Sequence, residues 1–256
     1  MTAHDHFDWY RTPSGRRAAR LLRTALRPQL QHQGTTRLLT LGAPSTILLG
    51  YPAAKVERVA AVDAGGCWPP NGPNATLAAD HAQLPFDAAV FDQALVMHSL
   101  ECAEKPAALL RELWRVLAPA GELLLVVPNR AGLWALAESN PFGQGRPYGR
   151  GGLRRTLTDA MFEVAAWRTA LAAPPLRGLA WTEPLLARTA PGLGGVHVVR
   201  AVKRDGLAPV DTRLRARAMQ GTFAPAAAAT QADAAARTPP AQRASSPPPR
   251  RSVVRR

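Results

Sequence analysis

Cysteine is almost absent from this 256-residue chain, which holds only Cys67 and Cys102 and no CxxC pair. A disulfide framework and a zinc site of the CxxC type are thereby excluded. Two unpatterned thiols fit a reducing compartment, where they pack as small apolar groups. Long apolar runs are missing too: nothing approaches the ~18 apolar residues that cross a bilayer. The opening MTAHDHFDWYRTPSGRR has no apolar core behind a basic start, so neither a secretory signal nor a membrane association is expected, and the location implied is cytoplasmic. No His, Cys or acid spacing suits a metal, and neither a GxSxG nucleophile elbow nor a P-loop occurs.

Acids are also scarce, 18 against 32 Lys and Arg, for a net charge of +14. The excess is split. Residues 204–256 hold ten basic and three acidic side chains, and the remaining excess of seven is spread over residues 1–203. With its alanine run, TPP and SPPPRR, the tail has too few large apolar groups to offset the entropy of ordering, and it reads as disordered. Weak, nonspecific polyanion binding is the most its charge implies, and a solvated role is the plainer reading.

The most legible stretch is residues 80–129, DHAQLPFDAAVFDQALVMHSLECAEKPAALLRELWRVLAPAGELLLVVPN. Phe91 to Met97 has strand length, and Leu123 to Val127 is apolar without alternation, as a strand covered on both faces should be. Between them Leu109, Leu110, Leu113, Trp114 and Leu117 recur at helical spacing. Pro106 suits the first turn, Glu104 sits near the positive end of the dipole, and Pro119 and Gly121 are placed to stop the helix. Two buried strands joined by a covering helix predict a parallel sheet in an α/β domain, with ligands beyond the carboxyl ends of the strands.

This stretch, above all RELWRVLAPAGELLLVVPN, resembles the class I S-adenosylmethionine-dependent methyltransferases, in particular the small-molecule branch called type 11. The resemblance implies a seven-stranded, mostly parallel Rossmann-like sheet with helices on both faces, the quoted segment forming strand four, its helix and strand five. The cofactor, S-adenosylmethionine, would lie along the tips of strands one to four.

Before that stretch, residues 14–30 read as an amphipathic helix with Ser14 as N-cap. Ala18, Leu21, Leu22, Ala25 and Leu26 fall on one side; Arg16, Arg20, Arg23 and Arg27 fall on the other. A helix packed at the sheet edge with a solvated arginine face is the plainer reading, and a phosphate-contacting stripe the sharper one. Thr36 to Leu41 is the first strand, ending at Gly42-Ala43-Pro44, where the family carries a GxGxG cofactor loop. Only the first glycine is kept. Gly42 either turns the chain or, with Ala43, admits the cofactor, and the absence of GxxG beyond it excludes a standard dinucleotide site. Val56 to Val62 is the second strand. Asp63, 21 residues after Gly42, stands where the family's acid accepts from the ribose hydroxyls; an aspartate before Gly-Gly is also a turn former. Residues 65–74, GGCWPPNGPN, cannot be a helix. Ala75 to Ala79 is the third strand, followed by Asp80 and His81 at the family's adenine position, and His98 leaves strand four where it can touch cofactor or substrate.

Residues 129–148, NRAGLWALAESNPFGQGRPY, begin at the carboxyl end of strand five. Asn129, Arg130, Trp134, Phe142, Arg146 and Tyr148 suggest a substrate-facing cap in which the two arginines grip an anionic group under aromatic cover; the alternative is a loop packing on its own aromatics. Residues 153–161 read as a helix, 163–171 as a strand, 182–188 as a short helix and 196–202 as a last strand, antiparallel beside the fifth. The organisation expected is an N-terminal helix region (1–35), a methyltransferase-like domain (36–203) and a tail (204–256). The function expected is methyl transfer to a small-molecule acceptor, with no metal and no specific catalytic side chain assigned. A catalytically inactive binding or scaffold protein on the same fold is the alternative, and a nucleic-acid methyltransferase is disfavoured by the lack of an Asn/Asp-Pro-Pro-Tyr motif.

Overall fold

A computed structural model describes residues 8–30, 36–42, 56–62, 75–77, 79–137, 139–174 and 179–204. The chain separates into two units, Met1–Val210 and Asp211–Arg256, and all described residues belong to the first. Residues 205–256 of the tail expected to be disordered lie outside the described residues, as do 43–55 and 63–74.

Seven strands form one sheet: β1 Thr36–Gly42, β2 Val56–Val62, β3 Ala75–Leu77, β4 Phe91–Met97, β5 Leu117–Pro128, β6 Phe162–Ala170 and β7 Val196–Lys203, in the order β3-β2-β1-β4-β5-β7-β6. The first five are mutually parallel. β6 runs in the same direction as these five, and β7 alone runs the other way, pairing antiparallel with both β5 and β6. The described helices are α1 Pro13–Leu26, α2 Pro106–Val116, α3 Arg150–Asp159 and α4 Glu183–Thr189.

The unbroken apolar run of β5 is explained by its two covered faces. Leu123, Leu125 and Val127 join Ala94 and Val96 of β4 beneath Leu109, Leu110 and Leu113 of α2 and Leu153 and Leu157 of α3. Leu124 and Val126, with Leu95 and Met97, face Ala18, Ala19, Leu22 and Leu26 of α1. All are essentially solvent-free, and truncating a leucine here to alanine would cost about 2–5 kcal/mol.

Two sequence expectations are corrected. Thr12, not Ser14, caps α1: its Oγ1 accepts from Gly15 N at 3.1 Å and Pro13 fills the first helical position. α1 approaches β6, the edge strand of the sheet, and its Ala18, Ala19, Leu22 and Leu26 share one apolar cluster with residues of β1, β4, β5 and β7. Leu117 belongs to β5 and not to the helix, whose last residue is Val116. The chain passes straight into the strand, and Pro119 and Gly121 shape an irregularity between the Phe91–Leu117 and Gln93–Glu122 pairs.

A polar staple fixes the loop that leads into β4. The Glu112 carboxylate accepts from Leu84 N at 3.1 Å, and the Arg115 guanidinium donates to Glu112, to Phe86 O at 2.7 Å and to Leu84 O at 2.9 Å. The hydrogen bond from Arg115 lowers the Glu112 pKa.

Candidate functional site

In an open parallel sheet, a crevice forms where the strand order reverses, because successive crossovers leave in opposite directions. Here that point lies between β1 and β4, where Gly42 stands in register with Met97. Gly42 has φ +84°, and a Cβ on it would lie 1.6 Å from Met97 O and 2.8 Å from Ser99 Oγ. No other residue fits there. The chain leaves β4 through His98, itself at φ +56°, a conformation that costs a non-glycine residue about 1–2 kcal/mol.

That turn aims the imidazole inward. His98 Nε2 meets the Tyr10 hydroxyl at 2.8 Å and Nδ1 meets Glu101 Oε1 at 3.2 Å. A carboxylate at Nδ1 fixes the proton there, so Nε2 accepts from the phenol. Burial, reinforced by the Glu101 charge, raises the Tyr10 pKa well above its ordinary value, which keeps that donor protonated. Glu101 is 2% exposed, and its second oxygen, Oε2, has no hydrogen-bond partner. Such an atom is costly to bury and marks a place where a ligand group can be received. Arg146 N donates to Glu101 O at 2.9 Å, and Gly145, at φ +68°, lets the backbone close over that residue. On its other side the His98 ring lies 5.0 Å from that of Phe142, which packs edge-on with Trp9 and Trp134.

Residues 129–148 form a loop pinned at its mouth. Arg130 N donates to Tyr148 O at 3.0 Å and Tyr148 N to Pro128 O at 2.9 Å. Asn129 and Trp134, expected to face substrate, are spent on the fold. Asn129 Nδ2 donates to Gly192 O at 2.9 Å and Gly194 O at 2.7 Å, Trp134 Nε1 donates to Ala173 O at 2.7 Å, and Phe142 is 1% exposed. The aromatic part of the loop therefore packs on itself, and it is Arg130 and Arg146 that stay exposed, with Tyr148 half-buried between. Burial, then the Glu101 charge, raises the Tyr148 pKa.

Beneath Tyr148 lies His197, a residue sequence reasoning passed over. Its Nε2 donates to Tyr148 O at 3.2 Å while Nδ1 accepts from Trp167 Nε1 at 3.2 Å. Burial lowers its pKa to about 4, so the ring is neutral at physiological pH. Tyr10 was also missed, and nothing local could have found it, since its partner is 88 residues away. Glu101 had a signal: a carboxylate three residues after a strand-end histidine.

Of the six residues expected at the cofactor, Gly42 and His98 meet at the crevice. Asp80 and His81 follow the carboxyl end of β3, two strand spacings, or about 10 Å, from Gly42. Asp80 is exposed and its Oδ1 takes Ala82 N at 2.8 Å. Ala43 and Asp63 lie outside the described residues. A separate hollow of about 610 Å³, lined by Pro106, Arg111, Trp114, Tyr148, Asp159 and Met161 among others, lies between α2 and α3, and no expected cofactor residue lines it. Among the described residues no cluster of His, Cys, Asp and Glu could hold a metal ion. The Cys102 thiol is pushed up to about 11 by partial burial and the Glu101 charge, which leaves it a poor nucleophile.

The family model described as "Methyltransferase domain" matches residues 43–125. The match covers the segment from the end of β1 into β5, and the sheet order around it is that of a Rossmann-like methyltransferase fold. Solved structures share the fold at low identity. A chain of the complex between the Haloferax volcanii Trm112 methyltransferase activator and a methyltransferase is 18% identical, with TM-score 0.60 over 75% of this chain and 94% of that one. An S-adenosylmethionine-dependent methyltransferase from Mesorhizobium loti is 17% identical, with TM-score 0.55 over 70% and 96%. The [4+2]-cyclase SpnF is 19% identical, with TM-score 0.53 over 72% and 80%. No curated protein matches the chain.

Proposed function

We propose that the domain binds S-adenosylmethionine at the β1–β4 crevice and transfers its methyl group to a small-molecule acceptor approaching from the β5 side. The observation that carries this reading is the meeting of Gly42, bare of a side chain and at φ +84°, with the His98–Glu101 turn at the switch point of the sheet. The donor set suits the cofactor. Gly42 and Ala43 would border its methionine part, Asp63 would accept from the ribose hydroxyls, Asp80 and His81 would meet the adenine, and His98 would stand beside the reacting end.

The bound cofactor supplies an electrophilic methyl on a sulfonium whose departure as a neutral thioether needs no acid. The work left to the protein is alignment and exclusion of water. The loop 129–148 and the aromatic cluster of Trp9, Trp134 and Phe142 close that edge. Arg130 and Arg146 are the exposed cations available to an anionic acceptor, with Tyr148 between them, and Glu101 Oε2 is an oxygen able to receive an N–H or O–H. The reaction and the chemistry of Cys67 and Cys102 suit a cytoplasmic setting.

The alternative, a domain that binds without catalysing methyl transfer, is favoured by the single glycine and the Pro44 that follow β1, and the cyclase SpnF is a likeness whose name is not that of a methyltransferase. Titration calorimetry of the full chain with S-adenosylmethionine and S-adenosylhomocysteine separates the two. Micromolar binding, about −8 kcal/mol, that weakens about tenfold or more in Asp63→Ala supports the first reading. A folded protein that binds neither compound refutes it.

A further inference from the structure

Six of the seven large apolar side chains exposed among the described residues fall on two segments: Leu133 (49%) and Leu136 (76%) on one, Leu179 (36%), Trp181 (72%), Leu185 (57%) and Leu193 (55%) on the other. The two segments meet. Asn129 Nδ2 holds the carbonyls of Gly192 and Gly194, and a Cβ on Gly132 would touch Gly194 and Gly195. Both leave the sheet at one edge. β6 and β5 each run antiparallel to β7, so the end of β6, the end of β5 and the start of β7 all lie at the carboxyl edge. α4 buries none of its residues, so folding alone does not explain why it carries leucines.

Charge distinguishes what such a face would meet. Arg130 and Arg188 are exposed in these segments. The acid described in them, Glu183, is turned inward, its carboxylate accepting from Ala172 N at 2.8 Å and Ala173 N at 2.7 Å. Glu138 lies outside the described residues. Arg17 Nη2 stands 4.0 Å from Glu183 Oε2, which brings α1 alongside α4, and α1 exposes Arg16, Arg20, Arg23 and Arg27. The apolar patch thus lies beside the helix that carries the arginine stripe. An exposed tryptophan and leucines beside a row of arginines is the pattern of a surface that seats its apolar groups among lipid headgroups and its cations against their phosphates.

We propose that this edge docks on an anionic lipid surface, with Trp181, Leu185 and Leu193 entering the headgroup layer and the α1 arginines facing the phosphates. This is adsorption, not insertion: no described helix is long and apolar enough to cross a membrane. It departs from the sequence expectation of no membrane association and sets the acceptor side of the domain against the bilayer, where an anionic amphiphilic acceptor partitions. Docking is independent of cofactor binding, so either can fail without the other.

The test is co-sedimentation of the full chain with phosphatidylcholine vesicles, with and without phosphatidylglycerol, at low and high salt. The charge of the basic tail would also draw it to anionic vesicles, so the informative protein is the double variant Trp181→Ser, Leu185→Ser, whose tail is intact and whose changed positions carry no core. Wild type should bind phosphatidylglycerol vesicles with a component that survives high salt, and the variant should lose that component and bind about tenfold or more weakly. An Arg20→Glu, Arg23→Glu variant should weaken low-salt binding. Equal binding by wild type and the serine variant would show that the tail acts alone and overturn the proposal. Absence of wild-type binding would overturn it in favour of a protein partner for the same patch.

Discussion

His197 gives the structure a built-in acid sensitivity whose size follows from two numbers. In the unfolded chain the imidazole titrates at 6.5; folded, burial holds it at about 4. A pKa depressed by folding means that the unfolded chain takes up the proton first. The contribution to stability is therefore complete above 6.5 and is lost as pH falls toward 4. Between about pH 7.5 and about pH 5 the difference in proton binding amounts to roughly 2 kcal/mol, and screening near the surface trims this to roughly 1–2 kcal/mol. His197→Gln isolates it from the carboxylates that also titrate in acid. Glutamine keeps an N–H for Tyr148 O and an oxygen for the Trp167 indole but carries no titrating group. Urea unfolding of both proteins at the two pH values should show wild type losing roughly 1–2 kcal/mol more than the variant. Parallel losses would refute the assignment, as would an NMR titration of the His197 ring with a midpoint near 6.5.

Gly42→Ala should prevent stable folding or lower the unfolding free energy measured in urea by roughly 3–5 kcal/mol, because the new methyl would meet Met97 O at a φ that disfavours L residues; near-wild-type stability would show that the β1–β4 junction is not this tight. Tyr10→Phe removes the donor to His98 Nε2 and should cost about 1–2 kcal/mol in the same assay, and a variant as stable as wild type would mean that the 2.8 Å contact contributes nothing.

The sheet was legible because its central strands carry signals of their own. Leu123 to Val127 could only be a strand covered twice, and the helix before it announced its register through Leu109, Leu110 and Leu113. What periodicity does not carry is the destination of a side chain far along the chain. Trp134 and Phe142 looked like ligand aromatics because they sit among glycines and prolines in a loop, yet that loop folds onto α1, and its ring cluster is completed by Trp9 from the other end of the domain. Asn129 looked chemical for the same reason and turns out to tie down the backbone around Gly192 and Gly194. Position was read correctly and contact was not: Gly42 and His98 were placed at adjacent strand ends, while Tyr10 and Glu101, which hold the imidazole, entered only through tertiary structure. Boundaries slipped where a turn residue did two jobs, as at Leu117, where helix and strand are joined without a spacer.

The place of β7 between β5 and β6 orders the events by which this domain comes to exist. β5 and β6 have no ladder with each other; each is completed only by the last strand. Until residues 196–203 emerge from the ribosome, both would present unpaired backbone, and β5 is among the most apolar segments in the chain. A nascent chain stalled between Ala170 and Val196 would offer other polypeptides two open edges at once, a template for misassembly.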